Sequence, residues 1–369
     1  MSIKCELVRD RKRFDALAPA WQTLWRKVDA SIFQSHAWIS ACLADHDRLN
    51  IALAWHGDEL LAVLPLVVRR RAGVRMLEWA AQSYSDYCDA IVRPEADVLL
   101  ELLWRRVRRA GGFDVVWLKQ ISPHARLLPL AQRMNGHSPL RTEFCLQVGS
   151  SQWSSGQAWF RTLNKKTRND HLRGKRILAQ MGETVFRELS EPLGPLLDWA
   201  TRLKRQWLRT HKLESPIFDN GINLLPRMVQ ALAELGVLKI FLLECGGVPV
   251  AISINAVQDA KMLAFFATFD PEYDRGSPGI VLMTEYTMWA FDRGIKVVDY
   301  LRGKEPYKFK FADAMIELTT FAKAKTLRGR FAMWAYRMVQ AKNDATQPVL
   351  GSAYLTAAGK SRRATPATE

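Results

Sequence analysis

The chain has 369 residues, 48% of them hydrophobic and 24% charged, a balance that excludes a disordered polyelectrolyte and supplies core for two domains. No window reaches the roughly 18 uninterrupted apolar residues of a membrane span, and the N-terminus MSIKCELVRDRKRF lacks the apolar stretch of a secretory leader. Lys and Arg number 53 against 37 Asp and Glu, a formal charge of +16, which reads either as a solvated basic surface or as a preference for an anionic partner: phosphorylated substrate, RNA or an acidic membrane face.

In chain order, SIFQSHAWISACL predicts a helix start carrying Phe33, Gln34 and Trp38, which read as walls of a cleft or as core, with core the reading for Trp38. IALAWHGDELLAVLPLVV predicts two strands around a tight turn at Gly57. SDYCDAIVRPEADVLLELLWRRVRRAGGFDVVWL then predicts a short strand, a helix of about four turns, a break at Gly112 and an apolar strand. QVGSSQWSSGQ, rich in Ser, Gly and Gln, reads as the join between two domains. NKKTRNDHLRGKRIL is the densest basic run, in which Lys165, Arg168 and Arg176 share a helix face, and RLKRQW adds Lys204 and Arg205. These residues read as an acceptor site for an anionic substrate or as a solvated basic face.

FLLECGGVPVAISINAV and TFDPEYDRGSPGIVLMTEYTMWAFDRGIKVVDYL then repeat the earlier order of strand, glycine turn, strand, further strand, helix, glycine and strand. The repeat predicts an internal duplication and two α/β domains, each a mostly antiparallel sheet flanked by helices. The copies differ at the helix start. The first opens Arg93-Pro94-Glu95-Ala96-Asp97, with acids that satisfy the helix dipole and repel an anion. The second opens Arg275-Gly276-Ser277-Pro278-Gly279-Ile280, with no acid, and reads either as a Ser277 cap followed by Pro at the first helical position or as a phosphate cradle. LRGRFAMWAYRMVQAKND predicts a basic amphipathic helix, expected to pack on the second domain or to dock on an anionic membrane face, and AAGKSRRATPATE reads as a disordered tail.

Five scattered cysteines without a CxxC pair read as reduced thiols in a cytoplasmic protein, and seven histidines without HxxxH or HExxH spacing give no support for a metal. No GxSxG or Walker-type loop is present.

The block GGVPVAISINAV…YDRGSPGIVLMTEYTMWAFDRGIKVVDYLRGKEPYKFKF, with SIFQSHAWISACL, LLAVLPLVV, SDYCDAIV and WFRTLNKKTRNDHLRGKRIL, resembles the GNAT-type acetyltransferases of the CelD/BcsL-like group. That group is associated with cellulose and exopolysaccharide synthesis and is related to the FemABX aminoacyltransferases. The resemblance covers roughly residues 10 to 325 and implies tandem GNAT-like domains. These would be 1–150 as a degenerate, acceptor-side domain and 151–325 as the acyl-donor domain, followed by a basic helix and tail over 326–369.

The resemblance also implies a site. Arg275, Gly276, Ser277, Gly279, Ile280 and Val281 would cradle the donor's pyrophosphate, on a loop shorter in glycine than the usual GNAT pattern. Asp299 would orient or deprotonate the acceptor amine, Tyr307 would return a proton to the leaving thiolate, and Lys308 would stabilise developing negative charge. For Asp299 a plain turn-capping role stands beside this, and for Tyr307 and Lys308 packing and solvation. Asp86 and Tyr87, with Phe33, Gln34 and Trp38, would border an interdomain cleft and hold the acceptor, joined by Lys165, Arg168 and Arg205. The implied reaction is N-acyl transfer from acetyl-CoA or another acyl-CoA, without a metal, to a nucleotide-linked or lipid-linked amino sugar. The implied place is cytoplasmic, with peripheral association at the inner membrane or with a polysaccharide synthase. The alternatives are an aminoacyl-tRNA-dependent transferase and a non-catalytic accessory protein of a polysaccharide synthase.

Overall fold

In the computed structural model, which describes residues 3–133, 143–191, 194–218, 223–303 and 305–344, the chain forms two units. The first comprises Met1–Glu143 and the chain returning from Glu317; the second is Phe144–Ile316. In the first unit the order is β1 (Ile3–Val8), α1 (Arg11–Asp15), α2 (Ala18–Lys27), α3 (His36–Cys42), β2 (Arg48–Leu49), β3 (Ile51–His56), β4 (Glu59–Leu64), β5 (Leu66–Arg71), β6 (Val74–Trp79), β7 (Ile91–Val92), α4 (Val98–Ala110), β8 (Val115–Ile121) and α5 (Leu128–Arg133). The second unit holds β9 (Glu143–Gly149), α6 (Gly156–Thr162), α7 (Lys165–Met181), β10 (Thr184–Leu189), α8 (Gly194–His211), α9 (Leu225–Glu234), β11 (Leu238–Cys245), β12 (Val248–Gln258), β13 (Lys261–Phe269), α10 (Pro278–Asp292) and β14 (Val297–Arg302). The chain ends with β15 (Ala314–Ala324) and α11 (Leu327–Asp344).

The fold is mixed α/β, and both units carry mostly antiparallel sheet with helices against it. In the first unit β1-β3-β4-β7 form one sheet, and β15, β8, β6, β5 and β2 follow one another in a second. In the second unit the order is β10-β11-β12-β13-β14-β9. Each unit has a single parallel pair among its described strands, β6 with β8 and β13 with β14, joined in each case by a helix, α4 or α10. A parallel pair needs such a crossover because the chain must return to the same sheet end.

The duplication legible in the sequence is present as topology. A hairpin turning at Gly57 or at Gly246-Gly247 leads into a strand that folds back at a left-handed residue, Ala72 (φ 46°) or Asp259 (φ 51°). A crossover helix and a last strand follow. That last strand bulges in both copies at a left-handed residue, Gln120 (φ 56°) or Leu301 (φ 58°). One difference has a plain cause: Pro65, which offers no N–H to a ladder, separates β4 from β5 and lets them join different sheets, whereas β12 runs unbroken over the matching stretch.

α4 buries Leu99, Leu100, Leu103, Trp104 and Val107 on one stripe, as a helix packed on one sheet face should. α10 is apolar nearly all round because it is enclosed, with β11–β13 on one side and α6 and α7 on the other. The C-terminal helix, α11, falls in the first unit, although packing on the second was expected. There Tyr336 meets Trp117 edge-on at 4.8 Å and Met333 is buried with Val115 and Trp117. β15, paired with β8, delivers it there. The tail AAGKSRRATPATE lies outside the described residues. Among the described residues no helix is long and apolar enough to cross a membrane.

α7 crosses the turn before α10 closely enough that glycine is required on both sides. A Cβ on Gly174 would stand 2.6 Å from the Gly276 carbonyl oxygen, and one on Gly276 would stand 2.6 Å from Leu178 Cγ. We expect Gly174→Ala to lower the unfolding free energy by about 1–3 kcal/mol, since the backbone opposite cannot give way. Urea denaturation checks this; a change within error would mean that the crossing is loose.

Candidate active site

The site is set by how far two parallel strands stay together. β13 and β14 are registered over three pairs, Lys261–Val297, Met262–Val298 and Leu263–Asp299, although β13 runs on to Phe269. After Asp299 the bulge at Leu301 carries β14 toward β9, with Arg302 opposite Cys145. Among the described residues β14 pairs with β13 no further than Leu263, and α10 starts just beyond the end of β13.

Asp299 holds this parting in place. Its side chain is fully buried, and it accepts from Gln147 Nε2 (2.8 Å), Lys261 Nζ (2.9 Å) and the Leu301 backbone N–H (2.8 Å). A buried carboxylate must be paired and hydrogen-bonded, and here the partners come from β9, β13 and the bulge itself. Both oxygens are engaged and none faces solvent, which speaks against deprotonation of the acceptor amine and for a positioning role. Gln147 and Lys261 were missed from sequence because their meeting with Asp299 depends on strand register.

At the mouth of α10, Ser277 adopts a left-handed conformation (φ 47°, ψ 54°), and its side chain caps no backbone N–H. The ordinary capping alternative is thereby removed. The Ser277 carbonyl accepts from Ile280 N (3.0 Å) and Val281 N (3.1 Å), Pro278 has no N–H, and the Gly279 N–H is left as the open donor of the first turn. Arg275 and Ser277 are exposed and Ile280 is half-buried. Val281 is core, so its side chain is not part of a cradle. Gly279 packs against Phe269, whose ring would be 3.1 Å from an added Cβ. Glu272 and Asp274 lie in the preceding 3-10 turn, and no acid stands in the first turn of α10.

The loop after β14 comes within electrostatic reach of Lys204, which donates to the Ala267 carbonyl of β13. Tyr307 is 37% exposed; burial of the ring and then the Glu305 carboxylate push its phenol well above the ordinary range. It therefore persists as an O–H donor and is a poor source of a transferred proton. Lys308 is largely buried, and its ammonium donates to the Arg302 carbonyl (2.8 Å) and pairs with Glu305 (3.1 Å). Those bonds staple the loop, and they correct the expectation of a lysine directed at substrate.

One residue stands out more than its sequence context indicated. Lys204 on α8 places its ammonium 4.4 Å from the Trp207 ring centroid, 5.9 Å from that of Phe266, and 3.4 Å from the carbonyl oxygen of Ala267 on β13. Burial lowers its pKa, the Glu305 carboxylate works against that, and Lys308 reinforces it. RLKRQW marked Lys204 as one basic residue among many; only the packing of α8 on β13 distinguishes it.

The remaining predicted residues are placed as follows. Phe33, Gln34 and Trp38 are buried in the first unit: Gln34 Nε2 donates to the Tyr87 carbonyl (2.8 Å), Trp38 Nε1 donates to Ser85 Oγ (3.1 Å), and Phe33 meets Trp38 edge-on at 5.2 Å. These three support the 83–88 loop from beneath and do not wall an open cleft; Asp86 and Tyr87, half-buried, are the members nearer the surface. Lys165 is exposed. Arg168 is turned back onto the carbonyls of Arg161 and Leu163, closing the end of α6. Arg205 lies 6.0 Å over the Phe218 ring. Lys175 pairs with Glu285 (2.8 Å), so part of the basic run on α7 serves structure. Among the described residues no group of three His, Cys, Asp or Glu is placed to hold a metal ion.

The structural role of Asp299 has a measurable consequence. Asp299→Asn should lower the unfolding free energy by about 1.5–3 kcal/mol, the range for hydrogen bonds to a charged group. Chemical denaturation tests it; unchanged stability with lost turnover would restore Asp299 to a direct chemical role.

Residues 165–309 match the family described as Acetyltransferase (GNAT) domain. No curated protein matches the chain. Among solved structures the chain is similar to FemX, at 9% identity and a TM-score of 0.58, covering 91% of this chain and 100% of that one. It is similar also to the C-terminal DUF2156 domain of a candidate lysylphosphatidylglycerol synthetase from Agrobacterium fabrum, at 12% identity and a TM-score of 0.57, covering 87% and 96%. A conserved protein of unknown function from Bacteroides thetaiotaomicron follows, at 10% identity and a TM-score of 0.50, covering 87% and 100%. At such identities these likenesses show a shared fold. The family match by itself places a GNAT acetyltransferase domain within the second unit, over residues 165–309.

Proposed function

We propose that the protein is an N-acyltransferase that takes an acyl group from acyl-CoA and passes it to an amine of a cell-envelope or exopolysaccharide precursor. The observation that carries this reading is the parted β13–β14 pair ending at an acid-free helix mouth whose Ser277 makes no cap. An acyl-CoA fits these residues. The Gly279 N–H and the exposed Arg275 guanidinium would hold the pyrophosphate, and β13 beyond Leu263 would offer backbone partners for pantetheine amides.

In the transfer, the amine nitrogen forms a bond to the thioester carbonyl carbon and the carbon–sulfur bond breaks. The proton released by the amine passes through water to the leaving sulfur, so that amide and free thiol account for all atoms. Tyr307, which keeps its proton, would donate a hydrogen bond to the developing negative charge, and Lys204 would supply positive charge beside β13. Asp299 and Lys308 would hold the strand and the loop that present these groups.

The acceptor side is proposed to take an anionic amino sugar carried on a nucleotide or a lipid, with Lys165, Asp86 and Tyr87 as contact candidates. Peripheral association with the cytoplasmic face of a membrane, or with a polysaccharide synthase, is supported by α11, where Leu327, Phe331, Trp334 and Met338 are all exposed among basic residues. A second donor reading, charged tRNA, draws on the +16 charge. It requires RNA affinity that falls steeply with salt.

Two substitutions test the donor site. Ser277→Asp adds a carboxylate at the helix mouth, so it should hold or raise thermal stability while weakening acetyl-CoA binding at least about tenfold in calorimetry. Unchanged affinity would remove the cradle. Tyr307→Phe should lower kcat on the order of a hundredfold with an unchanged melting temperature, the usual loss for one donor to developing charge. Full activity of that variant would exclude Tyr307 from the chemistry.

A further inference from the structure

The first unit contains a cavity of about 680 Å³ that plays no part in the site described above, lined by Cys5, Leu7, Arg9, Leu102, Arg105, Arg106, Arg109 and Ala110. Its construction follows from two periodicities. Leu102, Arg105, Arg106 and Arg109 stand at i, i+3, i+4 and i+7 and so share one face of α4, while Cys5 and Leu7 alternate onto one face of β1, the edge strand of its sheet, and Arg9 follows just after that strand ends at Val8. Four arginines therefore line one concavity.

Only Arg105 has a carboxylate partner there, Glu101 at 2.6 Å. Among the described residues Arg9, Arg106 and Arg109 have no carboxylate within ion-pair distance, and all three are exposed. The one acid of β1, Glu6, is on the opposite face of the strand, bonded to Arg13 and Trp55. Arg109 stands in the last turn of α4, where the helix dipole favours a cation, while Arg9, Arg105 and Arg106 add further like charge to the same concavity, which a bound anion would offset. The Cys5, Leu7, Leu102 and Ala110 side chains give the same cavity an apolar side.

We propose that this cleft binds a small phosphorylated molecule with at least two negative charges, its phosphates on Arg9, Arg106 and Arg109 and an apolar portion against Leu7 and Leu102. Guanidinium groups suit this task because their planar forks match phosphate oxygens two at a time. The cavity lies within the roughly 300–1,000 Å³ typical of small-molecule sites. All lining residues belong to the first unit, so the inference stands or falls apart from the acyl-transfer reading.

Inorganic pyrophosphate, titrated calorimetrically into the full chain, is the probe. Arg106→Ala and Arg109→Ala should each weaken its binding at least about tenfold, with melting temperatures unchanged because both side chains are exposed. Arg48→Ala combined with Arg70→Ala, which removes as much charge from the surface of the same unit, should leave the affinity unchanged. Ser277→Asp should leave it unchanged too, which separates this site from the helix mouth of α10. Loss of affinity in the Arg48/Arg70 double variant to the same degree would mean diffuse charge and overturn the proposal. Absence of pyrophosphate binding would also overturn it, as would binding confined to vesicles containing phosphatidylglycerol, an outcome that would make the face a membrane surface.

Discussion

Much of the second unit depends on one buried carboxylate. Asp299 draws a glutamine from β9, a lysine from β13 and a backbone N–H from its own bulge, and thereby fixes where β14 leaves β13. A parallel pair that stayed registered to its end would present a closed ladder. Because this one parts after Leu263, β14 pairs with no described residue of β13 near the start of α10, and the loop carrying Tyr307 follows the other strand. The cost of burying a charge is offset by three partners whose own positions define the parting.

The two copies of the same element order show how this arrangement can be lost. Trp117 occupies the place of Asp299, and it packs beneath α11 in a small apolar cluster with Val115 and Met333. Both copies keep the left-handed bulge in the last strand, so backbone geometry has outlived the polar network that one copy builds around it. At the start of the crossover helix the first copy has Glu95 in a short 3-10 turn and the second has an uncapped Ser277 with no acid in the first turn. Halves with one topology thus carry a polar network in one copy and an apolar cluster in the other.

Local features were readable in advance wherever a local rule governs them. The glycine turns, the crossover helices and the acid-free mouth of α10 follow from residues within a few positions of one another. What failed were statements about partners. Lys308 looked like a charge for substrate, yet its ammonium is spent on Arg302 and Glu305. Phe33 and Gln34 looked like a pocket wall, yet together with Trp38, which read as core and is core, they underlie a loop 47 to 53 residues away in sequence. Lys204 looked ordinary, because a cation's surroundings are set by the helix and strand packed around it.

By itself the sequence determined the element order, the duplication and the asymmetry at the helix start, since hydrophobic periodicity and turn chemistry act over short spans of chain. The tertiary structure decided the rest: the role of Asp299, the parting of β14 from β13, the docking of α11 on the first unit and the gathering of arginines between β1 and α4. Each of these depends on residues far apart in the chain meeting in one strand register or on one packed face. A charge has no fixed role until it is known which other charges, carbonyls or rings share its surroundings.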